Sequence, residues 1–262
     1  MSRDACAPGR RPVLSVVTPA YNEAENLPIL WPRLDAVLST LDTDWEWIIV
    51  DDHSADATFT VTARLAEQES RIRGIRLAAN AGSHAAIGCG LDCARGGAAV
   101  VLAADLQDPP ELLPTLLQEW RRGTQVVWAV RTRREADAMH TVILARAYHW
   151  LMRHAAGLRD LPSEGSDCFL LDRLVLDALA KRREPPVSVP AAIASMRCRY
   201  AIVPYVREAR RLGVSGWNTG KKVHFALASL VAYARWRPLA AWRPRPRLRP
   251  SIEGVVGERP SD

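Results

Sequence analysis

The feature of this chain that most constrains its fold is a regular alternation between short apolar runs and stretches with helical periodicity. Residues 13–18 read VLSVVT, and apolar residues then recur at helical spacing through 27–41. The same alternation repeats up to residue 130, which favours a mostly parallel sheet with helices on both faces, an α/β fold. The predicted strands lie at 13–18, 46–50, 75–79, 98–103 and 125–130, and the predicted helices at 27–41, 57–69, 84–94 and 109–120.

Polar residues cluster directly after four of the predicted strands. The segments are TPAYNE at 18–23, DDHS at 51–54, NAGSH at 80–84 and DLQD at 105–108. In sheets of this kind, ligands bind beyond the carboxyl ends of the strands. Four polar segments from four strand ends therefore predict one binding site at one edge of the sheet.

Three residues in these segments are carboxylates placed at strand ends: Asp51, Asp52 and Asp105. A carboxylate there can accept hydrogen bonds from a base or ribose, or bind Mg²⁺ or Mn²⁺ together with substrate phosphates. Each Asp alone can equally well cap the following helix, a common role for this residue. Taken together with Glu23 and Gln107, they favour a ligand site over a set of unrelated helix caps.

The motifs TPAYNE, VDDHSADAT, NAGSHAAI and ADLQDPPE, in this order, resemble those of family 2 glycosyltransferases with the GT-A fold. The resemblance runs from about residue 13 to about residue 239 and is greatest to the polyprenyl-phosphate glycosyltransferases, which include dolichol-phosphate mannose synthases and bacterial undecaprenyl-phosphate glucosyltransferases. It implies a Rossmann-like sheet. It also implies an inverting transfer of a sugar from a nucleoside-diphosphate sugar to a polyprenyl phosphate.

The resemblance also implies roles for individual residues. Asp105 and Gln107 would hold Mg²⁺ or Mn²⁺ on the donor diphosphate. In the family the fourth motif usually reads Asp-x-Asp-x-Gln-Asp, and here Ala103 stands at its first Asp. The metal site is therefore expected to be weakened or altered. The residues implied in binding the nucleotide sugar are Pro19, Tyr21, Glu23, Asp51, Asp52, Asn80 and Asp105.

Asp167, in the segment SDCFLLDR at 166–173, matches the family stretch in which an Asp faces the acceptor, and it is the candidate catalytic residue. An inverting transfer needs a base or an orienting carboxylate on the sugar face opposite the leaving diphosphate. Because an acceptor phosphate is already ionised near neutral pH, Asp167 would orient the acceptor more than deprotonate it. An Asp that caps a loop turn is the alternative interpretation.

Two arginine patterns also match the family: RTRR beginning at Arg131, and REARRLGVS at 207–215. Guanidinium groups bind phosphate oxygens bidentately, which suits both an anionic acceptor and a diphosphate leaving group. The alternative, a solvated surface, applies better to Arg133, Arg182 and Arg183. The residues implied in phosphate and acceptor binding are Arg131, Arg134, Arg207, Arg210 and Ser215.

Charge is unevenly distributed along the 262 residues, whose net charge is +6. Between Arg207 and Arg249 there are eleven basic residues against one acidic residue, a local charge of +10. Such a segment suits an anionic partner, and no nucleic-acid recognition motif accompanies it, so nucleic acid is not expected. The predicted organisation is a flexible N-terminal tail at 1–11, a GT-A domain at 12–218, an amphipathic helix at 219–240 and a flexible basic tail at 241–262.

The sequence also predicts where the protein works. The amphipathic segment with Trp236 and Trp242 fits a membrane surface or a membrane-protein partner, and equally fits a helix packed on the body of the protein. Residues 1–12 are charged without an apolar core, and the longest uncharged stretch near the end, 223–234, is shorter than the roughly 20 residues of a membrane-spanning helix. Five scattered cysteines without a CxxC pair indicate a reducing compartment. The expected location is the cytoplasm, at most peripheral on the inner face of the membrane.

Three hypotheses for the function therefore stand side by side. The first is transfer to a polyprenyl phosphate, and the second is transfer to a soluble acceptor in specialised-metabolite or polysaccharide biosynthesis. The third is a nucleotide-sugar-binding relative without transfer activity, which Ala103 suggests. The donor base, the sugar and the oligomeric state are left open by the sequence.

Overall fold

The computed structural model describes residues 13–132, 158, 160–162, 167–182, 188–208 and 250–257. The strands are β1 Leu14–Ala20, β2 Trp45–Asp51, β3 Ile72–Leu77, β4 Ala98–Val101, β5 Val126–Arg131, β6 Phe169–Asp172, β7 Tyr200–Tyr205 and β8 Ile252–Val256. The helices are α1 Leu27–Thr40, α2 Thr58–Gln68, α3 Ser83–Cys93, α4 Leu113–Arg121, α5 Arg173–Ala180 and α6 Val189–Ala194, with a short 3₁₀ turn at Pro110–Leu112 before α4.

The described strands form one sheet in the order β7-β5-β6-β4-β1-β2-β3-β8. β1 pairs in parallel with both β2 and β4, so the strand order reverses beside β1, as in Rossmann-like sheets. β6 is antiparallel to both of its neighbours and β8 is antiparallel to β3, while β5 and β7 run parallel to each other. The predicted α/β fold with a mostly parallel sheet is confirmed.

Two apolar layers cover the faces of the sheet, which explains why β1, β2 and β4 are apolar almost throughout. On one face, α1 packs Leu30, Leu34 and Leu38 against the strands. Trp47 is fully buried there, and its indole N–H donates a hydrogen bond to the Thr18 hydroxyl (2.8 Å). On the other face α3 lies against β1 and β2.

The structure departs from the sequence prediction at the end of the chain. We expected residues 241–262 to be a flexible tail, but Ile252–Val256 within them form β8, the edge strand next to β3. The expectation is wrong for these residues, because an edge strand needs only backbone partners on one side and can therefore be polar and exposed. The segments predicted at 1–11 and 219–240 lie outside the described residues.

The directions of β7 and β8 place residues 208 and 250, which border the undescribed residues 209–249, at the carboxyl edge of the sheet. β7 runs toward the carboxyl edge and is followed by Glu208. β8 is antiparallel, and its first residue, Ile252, pairs with Leu77 at the carboxyl end of β3. Residues 208 and 250 thus both lie at the carboxyl edge, toward opposite sides of the sheet. Of the helices that the structure describes, none combines the length and apolar character needed to cross a bilayer.

Candidate active site at the carboxyl edge

Three of the predicted motifs meet at the carboxyl edge of the sheet. Tyr21 and Glu23 follow β1, Asp51 and Asp52 lie at the end of β2, and Asp105 follows β4. Because β4, β1 and β2 are neighbours, these loops lie side by side. The convergence predicted from the strand pattern is therefore present in the structure.

Asp52 connects the third motif, NAGSH at 80–84, to this edge. Its two carboxylate oxygens accept hydrogen bonds from the backbone N–H groups of Ala81 (2.7 Å) and Gly82 (2.9 Å). Burial raises the pKa of Asp52, and these hydrogen bonds act in the opposite direction. Gly82 has φ of 90°, a conformation that favours glycine, and it precedes α3, while Asn80 is exposed in the same loop. Asp52 thus fixes the loop that carries Asn80.

Asp51 is fully buried and held from two directions. One carboxylate oxygen accepts a hydrogen bond from the Ser54 N–H (3.0 Å), and the other lies 3.1 Å from Nη1 of Arg76 on β3. Arg76 also donates to the Ser54 carbonyl (3.2 Å). Asp51 therefore holds the turn after β2 in place. Contact with the base or ribose of a donor stays a prediction for both Asp51 and Asp52.

The loop after β1 is fastened to the turn after β2. The Asn22 N–H donates to the Ser54 hydroxyl and the Asn22 side chain accepts from the Ala55 N–H, both at 2.9 Å. Asn22 has φ of 56°, which Asn tolerates better than most residues. Its neighbour Tyr21 is 43% exposed, so a flat aromatic face is available at the rim, while Pro19 is partly buried within β1.

Glu23 is directed inward. Its side chain is buried, its carboxylate accepts a hydrogen bond from the Asn26 amide, and its backbone N–H donates to the Thr58 hydroxyl (2.8 Å). These contacts brace the first turns of α1 and α2 against each other. A direct role in donor binding stays a prediction for Glu23.

The loop after β4 carries the residues predicted to hold a metal. Asp105 Oδ1 accepts a hydrogen bond from the Gln107 N–H (3.2 Å), and Leu106 between them has φ of 60°. Asp108 is fully buried and accepts a hydrogen bond from the Tyr205 hydroxyl on β7. Burial raises the pKa of both Asp108 and Tyr205. This pair ties the loop to the far side of the sheet.

Arginine and aspartate side chains surround the space between β4 and β7. Nη2 of Arg207 lies 3.9 Å from Asp105 and 3.8 Å from Asp167, and its Nε lies 3.8 Å from Asp108. Arg131, at the end of β5, pairs directly with Asp167. Asp167 reaches this edge because β6 is antiparallel and begins there. The structure thus brings Asp105, Asp167, Arg131 and Arg207 together, as the sequence predicts.

Not every predicted residue is among those that the structure describes, and some of the residues that contact the site were not predicted from the sequence. Arg134, Arg210 and Ser215 lie outside the described residues. Asp108 and Tyr205 were missed, although Asp108 stands within the fourth motif. Arg33 was missed as well; it forms ion pairs with Glu111 (2.9 Å) and Glu208 (2.7 Å) and so holds the residue next to Arg207. No local signal marks Arg33 or Tyr205, since their partners are distant in sequence.

The residues present fit a divalent cation that is held jointly by protein and substrate. In the part of the chain that the structure describes, no three His, Cys, Asp or Glu side chains form a group able to hold a metal ion alone. Ala103, partly exposed, supplies no ligand atom from its side chain, but the Asp105 carboxylate is 14% exposed at the same loop. One or two carboxylates with substrate phosphates are sufficient for Mg²⁺, so Asp105 and Gln107 remain the predicted protein ligands.

The Rossmann-like sheet, with strand-end carboxylates and arginines at its carboxyl edge, defines a GT-A-type glycosyltransferase. A comparison with protein families agrees: the model of "Glycosyl transferase family 2" matches residues 15–179, more than half of the chain. The chain belongs to this family and is a glycosyltransferase.

Curated relatives extend this result. An uncharacterized glycosyltransferase of Synechocystis is 33% identical over 229 residues, which are 87% of this chain and 71% of the relative. The undecaprenyl-phosphate 4-deoxy-4-formamido-L-arabinose transferase of Erwinia tasmaniensis is 32% identical over 78% of this chain and 63% of its own. The bactoprenol glucosyl transferase of Shigella phage SfV is 26% identical over 87% of this chain and 74% of its own. The predicted resemblance to polyprenyl-phosphate glycosyltransferases is confirmed.

Solved structures support the fold. Glucosyl-3-phosphoglycerate synthase from Mycobacterium tuberculosis, in complex with Mn²⁺ and UDP-glucose, superposes with a TM-score of 0.62 at 20% identity, over 86% of this chain and 79% of that chain. A mannosyltransferase from Pyrobaculum calidifontis, in complex with GDP-mannose and Mn²⁺, has a TM-score of 0.58 at 18% identity, over 90% and 67%. At these identities the likeness shows a shared fold, in neighbours whose structures contain a nucleotide sugar and a divalent cation.

Proposed function

We propose that this glycosyltransferase moves a sugar from a nucleoside-diphosphate sugar to a polyprenyl phosphate, with inversion at the anomeric carbon. The observation that carries the proposal is the arrangement of Asp105, Asp167, Arg131 and Arg207 at one edge of the sheet. The names of the relatives that act on undecaprenyl phosphate and bactoprenol support the choice of acceptor.

The reaction balances without a protein-bound intermediate. An oxygen of the acceptor phosphate forms a bond to the anomeric carbon, and the bond from that carbon to the donor diphosphate breaks. The diphosphate leaves with the bonding electron pair, and no proton is transferred if the acceptor phosphate is fully ionised. Attack opposite the leaving group inverts the anomeric configuration.

The charged side chains have distinct tasks in this reaction. Arg131 and Arg207 would bind phosphate oxygens, and their ion pairs with Asp167 hold the guanidinium groups in position. Arg207 is more than 3.5 Å from each of its three carboxylates, so it retains hydrogen-bonding capacity for an anion. A divalent cation bound with the donor at Asp105 and Gln107 would neutralise charge on the departing diphosphate.

Location follows from the acceptor. A polyprenyl phosphate is anchored in a membrane, so we propose that the protein works as a peripheral protein at the cytoplasmic face. The basic segment between Arg207 and Arg249 supports contact with anionic lipid headgroups. We propose that residues 12–218 form the catalytic domain and that 219–240 mediate this contact.

The test is a transfer assay with the full chain, Mn²⁺, and a panel of radiolabelled UDP- and GDP-sugars. Detergent-solubilised undecaprenyl phosphate is the first acceptor and 3-phosphoglycerate the second. We expect label in the organic phase only when the lipid is present, and an inverted anomeric configuration by NMR. Label that enters only the soluble acceptor would mean that the acceptor is a soluble phosphate and not the lipid. Nucleotide binding without any transfer would favour the non-catalytic relative.

A further inference from the structure

The strand β8 is joined to the turn after β2 by polar contacts of Glu253, among them its ion pair with Arg76. Glu253 Oε2 lies 3.1 Å from Nε of Arg76 and 3.3 Å from Nδ1 of His53. The same Arg76 guanidinium contacts the buried Asp51 carboxylate and the Ser54 carbonyl. A side chain from the far end of the described chain is therefore linked, through Arg76, to the turn at residues 51–54.

The register of β8 shows that Glu253 occupies a β-bulge. Arg76 pairs with Gly254 but Leu77 pairs with Ile252, so Glu253 has no partner across the strand. A bulge redirects a side chain, and bulges are over-represented beside active sites. Here the redirected carboxylate faces Arg76 and His53.

Two glycines allow β8 to pack closely against β3. A Cβ atom at Gly74 would lie 2.6 Å from a methyl group of Val256, and a Cβ at Gly257 would lie 2.3 Å from the Ile72 carbonyl oxygen. Both glycines thus allow a close approach of β8 to β3. His53 adds a second fitted feature: it adopts φ of 57°, and its Nδ1 lies 3.1 Å from the Leu77 carbonyl oxygen.

The network continues from this turn to the exposed rim of the site. Ser54 accepts a hydrogen bond from the Asn22 N–H, and Ala55 donates to the Asn22 side chain. Asn22 is the neighbour of Tyr21, whose ring is exposed at the edge where we propose that the donor nucleotide binds. Glu253 thus acts on this side of the site only through other residues.

We propose that Glu253 is a positioning residue for the nucleotide side of the site, acting through Arg76 and His53 on residues 51–55 and on the loop that carries Tyr21. The inference rests on the proposed function in one respect, that the ligand of this side is the donor's nucleotide. According to this inference, β8, the strand that follows the basic segment, contributes to nucleotide affinity. The transfer step itself does not depend on Glu253.

The test measures UDP and GDP binding, with Mn²⁺, to the full chain by titration calorimetry. In Glu253→Ala we expect the Kd of the nucleotide to rise about threefold to fivefold, because the lost pair is half-exposed. Glu253→Gln, which can still accept from Arg76, should recover part of the loss, and Glu253→Arg should lose more through repulsion of Arg76. Glu67→Ala, an exposed carboxylate on α2, is the matched control and should bind as the parent does.

Two further readouts separate positioning from general destabilisation and from the proposed function. Amide hydrogen exchange without ligand should become faster at 21–24 and 51–55 in Glu253→Ala, while the kcat at saturating donor stays within about twofold. Parent-like Kd and exchange in Glu253→Ala, or an equal loss in Glu67→Ala, would overturn the inference alone. A parent protein that binds neither nucleotide would overturn the proposed ligand, whereas the exchange data would still decide whether Glu253 positions the turn.

Discussion

At the scale of single residues, Asp167 is the carboxylate on which both arginines converge. Its side chain is 58% exposed and pairs with Arg131, while Arg207 lies 3.8 Å away. Asp167→Asn removes the charge but keeps the shape. We expect nucleotide binding within about twofold of the parent and transfer lowered at least about 100-fold, the scale of a lost acid–base or orienting group. Calorimetry with UDP or GDP and the transfer assay measure the two quantities.

The matched control for this change is Asp177→Asn. Asp177 is also about half-exposed and also pairs with an arginine, Arg173 at 3.5 Å, but it lies on α5, which begins at the amino edge of the sheet, opposite the candidate site. It should retain parental transfer. Normal transfer by Asp167→Asn would remove this residue from the reaction.

The Ala103 position gives a prediction about metal affinity. Ala103→Asp would add a carboxylate near Asp105, on the loop that also carries the buried Asp108. Since Mg²⁺ and Mn²⁺ bind through carboxylates and substrate phosphates, Mn²⁺ affinity in the presence of UDP should rise at least about tenfold. Ala103→Asn, which offers a neutral oxygen, should give a smaller gain. Equal affinity in the parent and in Ala103→Asp would mean that this loop does not hold the cation.

His84 gives a prediction about pH and stability. Burial lowers the pKa of His84 to about 4, against 6.5 for an exposed histidine. Between these values the unfolded chain binds a proton that the folded chain does not, so the free energy of unfolding falls as the pH falls from 6.5 to 4. The full effect is at most about 3 kcal/mol. Urea unfolding at pH 7.0 and 4.5 isolates this effect by comparison: on going to pH 4.5, the free energy of unfolding of the parent should shift downward relative to that of His84→Gln, whose side chain does not titrate. The raised pKa values of Asp52 and Asp108 act in the opposite direction in both proteins and cancel in the comparison.

At the scale of elements, the strands buried on both faces could be predicted and the edge strands could not. β1, β2 and β4 are nearly continuous apolar runs because α-helices cover both faces. β7 alternates between exposed residues such as Tyr200 and Ile202 and buried ones such as Val203, and β8 follows an arginine- and proline-rich stretch. Its partner β3 lies more than 170 residues earlier in sequence, so no local pattern marks the pairing.

The same distinction applies to the site. The positions of Asp51, Asp52 and Asp105 could be predicted because they depend only on where parallel strands end. The Asp108–Tyr205 hydrogen bond and the Arg76–Glu253 pair depend on which distant strands become neighbours and on side-chain rotamers. The sequence therefore predicts which motifs meet, but not which side chains hold one another.

The packing of α3 on the sheet gives a prediction at this scale. Gly90 lets α3 approach closely, since a Cβ there would lie 2.4 Å from a Val17 methyl and 3.0 Å from a Val50 methyl. Gly90→Ala should lower the free energy of unfolding by about 1–3 kcal/mol through overpacking. Gly88, in the same helix, has no atom within 4 Å of its Cβ position. Gly88→Ala should therefore raise the free energy of unfolding by up to about 1 kcal/mol through helix propensity.

Urea denaturation of both variants measures the difference directly. Gly90 and Gly88 lie about half a helical turn apart. If alanine lowers the free energy of unfolding at position 90 and raises it at position 88, close helix–sheet contact, and not helix propensity, explains the glycine at position 90. Stabilisation by Gly90→Ala would contradict the packing that the structure shows.

At the scale of the whole molecule, the charge distribution and the strand directions act together. The segment from Arg207 to Arg249 carries a local charge of +10. Its first residues, 207–208, and the residue that follows it, 250, lie at the carboxyl edge of the sheet. Both ends of the basic segment are thus attached to the edge where the candidate site lies. A membrane that attracts this segment would bring its anionic lipids close to that edge.

This gives a prediction about membrane binding by the full chain. Arginines near an anionic surface contribute about 1 kcal/mol each, and salt screens the attraction. We expect the protein to sediment with vesicles that contain phosphatidylglycerol, to bind neutral vesicles far more weakly, and to be released by high salt. Replacing three arginines of the basic segment by glutamine should weaken binding roughly 100-fold, whereas the same change at three exposed arginines on α2 and at the end of α4 should have little effect. The two sets are Arg243, Arg245 and Arg247, and Arg64, Arg121 and Arg122. Equal loss in the two triple variants would mean that net charge alone, and not the basic segment, drives the association.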